Sequence, residues 1–183
     1  MRADIRADLS TIENGAALKP DVVIRAAGTL NLAGHVFTVK LSPDAATSGD
    51  VWLCDENSSV AALGDLVTLP APFLDTACPD GWIAALAQVT ATPFTIAIPG
   101  HGAPMTRSQF LLYRLAFESF IECSISARPT DECGTSWANV VQPLLAPSPG
   151  EGQRAKSIAV YDVEMLRANG GRSKYCEQPR GGR

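Results

Sequence analysis

A chain of 183 residues, 46% hydrophobic and 19% charged, is long enough for one domain with a sizeable core and has the balance of a globular protein. Fifteen basic against nineteen acidic residues leave a net charge of -4, which argues against nucleic acid or an anionic membrane surface as a partner. The start, Met1-Arg2-Ala3-Asp4-Ile5-Arg6, lacks the apolar core of a signal peptide, and no apolar run approaches the roughly 20 residues that span a bilayer. The expected location is therefore cytoplasmic for the chain as written, and periplasmic if it belongs to a longer exported parent.

In chain order, residues 1–20 read as a short helix or loop ending at Lys19-Pro20, and Asp21 to Ala26 as a β-rich run around Val22, Val23 and Ile24. Thr29-Leu30-Asn31-Leu32 and His35 to Leu41 alternate with period two about Ala33-Gly34, which predicts a hairpin. After a loop from Ser42 to Gly49, Val51-Trp52-Leu53-Cys54 predicts a buried strand, and Asp55 to Ser59 a turn. Val60-Ala61-Ala62-Leu63 then leads into Gly64-Asp65, read as just past a strand end.

Residues 69–79 are punctuated by Pro70, Pro72 and Pro79 and read as loop. Asp80 is placed to N-cap a helix that carries Trp82, Ile83, Leu86 and Val89 on one face. Phe94 to Ile98 is a further strand, followed by a Pro99-Gly100-His101-Gly102 loop. Thr106-Arg107-Ser108-Gln109 has the pattern of a capping box opening a helix to about Ser124. Beyond residue 126 Pro, Gly and Ser become frequent, with short helices over Trp137 to Leu145 and Val160 to Ala168 and a disordered end from Gly170 to Arg183. The order of mostly antiparallel strands, then strand–helix–strand–helix, predicts an α/β sandwich of α+β type with helices outside. Residues 1–126 are assigned to the main domain and 127–183 to a C-terminal appendage.

Asp65 and His101 are the candidate site. A carboxylate and an imidazole projected from strand ends on glycine hinges are half of a divalent metal centre, and hard oxygen ligands suit hydrolytic cations. His35, the only other histidine, lies on the hairpin and reads as an exposed strand residue. The five cysteines form no CxxC pair, so a structural zinc site is not indicated. Cys123, Cys133 and Cys176 fall in the polar C-terminal third. They fit either a disulfide, with Cys123 to Cys133 the nearest pairing, or reduced thiols. Ser48 and Ser58 lack a histidine–acid partner set, and the tail glycines follow no strand, so neither a serine hydrolase nor a phosphate loop is indicated.

The ordered set Thr47-Ser48-Gly49-Asp50-Val51-Trp52-Leu53, Ala62-Leu63-Gly64-Asp65-Leu66-Val67, Asp80-Gly81-Trp82-Ile83-Ala84-Ala85-Leu86 and Ile98-Pro99-Gly100-His101-Gly102 resembles the C-terminal half of metallo-β-lactamase-fold hydrolases, over roughly residues 20–125. The resemblance implies half of an αββα fold, with Asp65 as a metal-bridging carboxylate, His101 as a ligand of the second metal, and zinc as the cofactor. In intact relatives it implies attack of activated water on an ester, thioester, amide or phosphoester of a small-molecule substrate. Two departures count against activity. Ala46 stands where the family's His-Thr-x-Gly-Asp loop has its histidine, and the first motif, His-x-His-x-Asp-His, is absent. A catalytic zinc needs about three protein ligands plus an open position, and Asp65 and His101 make two. The expectation is a truncated or degenerate hydrolase with a partial site, no catalytic residues of its own and weak or no activity alone. The alternative is a non-catalytic binding or assembly module. Either would expose a sheet face that favours a homo-oligomer or a complementing chain. The tail with Cys123, Cys133, Cys176 and Tyr161 to Arg167 distantly resembles the appendage of a branch associated with quinoprotein systems.

Overall fold

The structure is a computed structural model that describes residues 22–173 and Cys176. The expectations for residues 1–20 and for the end beyond Ser173, Cys176 apart, lie outside the described residues. Residues 22–27 form no strand, and Val22 and Val23 are 59% and 60% exposed, so the predicted β-run there is not realised. The sheet begins at β1 (Gly28–Leu32), which turns through Ala33-Gly34 into β2 (His35–Pro43). It continues through β3 (Gly49–Asp55) and β4 (Val60–Thr68), all antiparallel. The chain then crosses over through helix α1 (Pro79–Ala91) and returns as β5 (Ile96–His101), which pairs parallel to β4. A two-residue β6 (Met105–Thr106) closes the far edge, giving the order β1-β2-β3-β4-β5-β6.

Alternation fixes the two faces. Trp52 and Cys54 are 1% exposed and Ala61, Leu63 and Ala97 fully buried, whereas Val51 and Ile98 between them are each 37% exposed. The buried side packs on α1 and on α2 (Arg107–Ser124). Trp82 of α1 anchors that contact: its indole N–H donates to the Leu66 carbonyl at 3.0 Å, and its ring packs 4.7 Å from Phe117 of α2. The α2 N-terminus carries the predicted capping box, Thr106 Oγ1 accepting from the Gln109 N–H and Gln109 returning the bond to the Thr106 N–H. Asp80, by contrast, is not the N-cap of α1. Cys78 holds that position, Pro79 fills the first turn where a missing N–H costs nothing, and Asp80 follows it inside the helix.

A second helical layer lies on α2. It comprises α3 (Thr130–Val141), a 3₁₀ turn (Gln142–Leu144) and α4 (Glu151–Ala168), each helix longer at its N-terminal end than expected. Trp137 joins this layer to the first, donating to the Pro70 carbonyl at 2.8 Å and meeting Tyr113 and Phe120 edge-on or tilted. One apolar core therefore runs from Trp52 to Leu166. Cys123 pairs with Cys133 between α2 and α3, and Cys78 with Cys176, leaving Cys54 as a buried thiol. No helix among the described residues is long and apolar enough to cross a membrane.

Candidate metal centre

Asp65 and His101 meet, but not beyond strand ends. Both lie within strands, Asp65 in β4 and His101 as the last residue of β5. What frees Asp65 is a break in register: β4 pairs with β5 through Ala62↔Ile98, Gly64↔Pro99 and Thr68↔His101, with irregularities on both sides of Gly64. Gly64 takes φ 54°, a left-handed conformation that side chains rarely adopt. The chain reverses its alternation there, so Asp65 is exposed while Leu66 behind it is fully buried. Gly100 completes the approach, because a Cβ at that position would collide with the Asp65 carboxylate and the Gly64 backbone.

The result places His101 Nε2 3.6 Å from Asp65 Oδ1, with the two side chains 54% and 53% exposed. That separation is an ion-pair distance for a protonated imidazole rather than a hydrogen bond. The Leu69 N–H donates to the His101 carbonyl at 3.0 Å and fixes the backbone, while Phe73 meets the imidazole edge-on at 5.7 Å. Nothing in the alternation of the sequence marks Phe73, which stands in a proline-punctuated loop; sequence reasoning missed it.

The loop between β2 and β3 reaches the same end of the sheet. Asp50 accepts from the Thr47 N–H at 2.9 Å and its hydroxyl at 3.2 Å. Burial pushes the Asp50 carboxyl above its ordinary range, against those hydrogen bonds and with some help from the nearby Asp65 charge. The resemblance sets Ala46 to Asp50 on the family's His-Thr-x-Gly-Asp loop, and the spacing of Asp50 to Thr47 suits this turn. Ala46 is 5% exposed and offers the site no ligand; its carbonyl accepts the Thr76 hydroxyl at 3.0 Å.

His35 stands apart. Its Nδ1 lies 3.0 Å from Asp55 Oδ2, at the end of β3 that pairs with Val60, the start of β4, whereas His101 pairs with Thr68 at the finish. The Ser58 hydroxyl, then His35 and the Asn57 N–H, hold the Asp55 carboxyl below its usual range. His35 is thus engaged at the opposite end of the sheet.

Among the described residues no group of three or more His, Cys, Asp and Glu is arranged to hold a metal ion. Two half-exposed donors, with alanine on the β2–β3 loop, do not fit a catalytic zinc, which takes about three protein ligands and an open position.

No protein-family model matches the chain, and no curated protein matches it in sequence. Its structure is similar to that of a metallo-β-lactamase family protein from Thermus thermophilus, at 16% identity and a TM-score of 0.51, over 83% of this chain and 50% of that one. It is also similar to the stereoselective inverting sec-alkylsulfatase Pisa1 from Pseudomonas sp., at 14% identity and a TM-score of 0.52, over 81% of this chain and 26% of the sulfatase. A double mutant of that sulfatase gives 13% identity and a TM-score of 0.54, over 82% and 27%. The chain spans half the length of the Thermus protein and about a quarter of the sulfatase. An α+β chain with one mixed six-stranded sheet and four helices among the described residues, it has the fold of about half of a metallo-β-lactamase family protein.

Proposed function

We propose that this chain is a metallo-hydrolase-like scaffold whose metal centre is degenerate, with Asp65 and His101 the remaining ligands. It takes up zinc weakly and hydrolyses little or nothing by itself. The observation that supports this reading is the convergence at one end of the sheet of Asp65 in β4, His101 at the end of β5 and the β2–β3 loop, which brings no ligand at Ala46. Asp65, within β4, and His101, at the finish of the parallel β5, lie side by side near the carboxyl ends of the two strands, a usual place for a ligand site in such sheets. Two donors in water-exposed positions neither hold zinc tightly nor lower the pKa of a bound water far enough for attack near neutral pH.

Zinc titration by calorimetry of the wild-type chain, Asp65→Ala and His101→Ala tests it. The expected result is one weak site, abolished by either substitution, and at least tenfold tighter uptake in Ala46→His. Tight uptake by the wild type would overturn the degenerate reading. Weak uptake that survives both substitutions would remove Asp65 and His101 from it.

One observation favours a second reading, a binding or assembly module. Leu41 pairs with Val51, and Leu53, Ala62 and Ile98 lie opposite one another across β3 to β5, so the sheet face that exposes Val51 and Ile98 carries an apolar stripe over β2 to β5. A contiguous apolar face of this kind marks association, here with a second copy or a complementing chain. Light scattering on wild type and Val51→Lys/Ile98→Lys decides it: the reading requires a wild-type assembly that the double variant dissociates.

A further inference from the structure

We propose that the cleft between the His101 segment and the start of α4 binds a small amphiphilic carboxylate, its charged end on Arg154 and its apolar body along Leu69, Pro70, Leu144 and Leu145. This site requires no metal and shares His101, Gly100 and Leu69 with the centre described above.

The cleft holds about 550 Å³, inside the roughly 300–1,000 Å³ typical of small-molecule pockets. One wall is Leu69-Pro70 with Gly100 to Ala103; the other is Leu144 to Pro147 with Glu151 and Arg154. The second wall comes from the helical layer that Trp137 ties to Pro70, so the two sides are held at a fixed separation. The lining is therefore mostly apolar, with His101 on one wall and Glu151 and Arg154 on the other.

Electrostatics orients an occupant. Beside the His101 wall the Asp65 carboxylate, 3.6 Å from the imidazole, repels an anion. On the opposite wall the Arg154 side chain is 63% exposed, and its guanidinium has one partner among the described residues, Glu151 Oε1 at 3.3 Å. A guanidinium carries five N–H donors in a planar fork, so donors remain for a carboxylate while Glu151 keeps its bond. Glu151 neutralises part of the charge, which favours a monoanion over a more highly charged ligand. An alkyl carboxylate satisfies all three conditions: one negative end, a flexible apolar body and no second charge near Asp65.

The test uses octanoate as the probe, titrated into the full chain in the presence of EDTA, with amide shifts followed by NMR. Saturable shifts centred on Gly102, Leu145 and Arg154 are expected. Arg154→Gln should weaken binding at least tenfold with an unchanged Tm, because the side chain is largely exposed, and 1-octanol should bind at least tenfold more weakly than octanoate. Equal affinity for octanol, unchanged affinity in Arg154→Gln, or no saturable shift at these positions would each overturn the proposal. Because EDTA is present throughout, failure here leaves the zinc experiment untouched, and failure of the zinc experiment leaves this one.

Discussion

Asp162 on α4 is 3% exposed; its Oδ1 accepts the Leu74 N–H at 3.3 Å, and its Oδ2 has no partner among the described residues. Burial, aided by the Asp75 charge, pushes its pKa up to about 7 against the pull of that hydrogen bond. The unfolded chain titrates the same group near 4, so between about pH 4 and pH 7 the folded state holds the extra proton. Stability therefore falls as pH rises through that window and levels off above it. Asn has the shape of the protonated acid and keeps an acceptor for Leu74. Asp162→Asn should thus raise the Tm at pH 8, and the gain should shrink steadily toward pH 5 in a series of thermal melts. A gain independent of pH would mean that it does not arise from ionisation of the Asp162 carboxyl. The site side chains belong to the same segment: Leu74 adjoins Phe73, which rests on His101, so Asp162 anchors the loop that backs the candidate centre.

At the scale of elements, what could be read from the sequence is what is local. The capping box of α2 and its apolar stripe lie within one segment, and the helix runs over Arg107–Ser124 as that pattern predicts. Thr106→Ala removes the cap's acceptor and should cost about 1 kcal/mol in urea unfolding, with the m-value unchanged. The helices α3 and α4 have Pro129 and Gly150 as N-caps, neither with a side-chain cap bond, so only the acidic first-turn residues Asp131, Glu132 and Glu151 mark their starts and the expected boundaries lie too late. Cys123 and Cys133, ten residues apart, could be paired on paper; Cys78 and Cys176, separated by 98, are brought together only by the tertiary fold. The candidate site divides in the same way. Gly-Asp and Gly-His-Gly single out Asp65 and His101, but their meeting depends on the register break at Gly64 and on the clearance at Gly100. Both are properties of two strands together, invisible in either alone. The same holds for Arg154, which precedes the helix expected over Val160 to Ala168 and which the second helical layer brings to the cleft.

For the whole molecule, the question is what binds the two helical layers and the chain's final described residues to the sheet. The core is continuous through Trp137, and the Cys78–Cys176 bridge adds a covalent tie from the start of α1 to the segment after α4, with the Ser173 N–H donating to the Ala77 carbonyl beside it. A cross-link stabilises chiefly by restricting the unfolded chain, and more so for a longer loop. The closed loop of 98 residues falls near the roughly 4.7 kcal/mol that chain entropy assigns to a 100-residue loop. The 10-residue Cys123–Cys133 loop falls below the roughly 3 kcal/mol of a 15-residue one. Cys78→Ala/Cys176→Ala should therefore cost more than Cys123→Ala/Cys133→Ala in urea unfolding, even though Cys123 and Cys133 are the more deeply packed pair. A reductant should lower the wild-type midpoint to below that of either double variant. If the short-loop variant proves the less stable, local packing between α2 and α3, rather than closure of the long loop, sets the stability of the assembled layers.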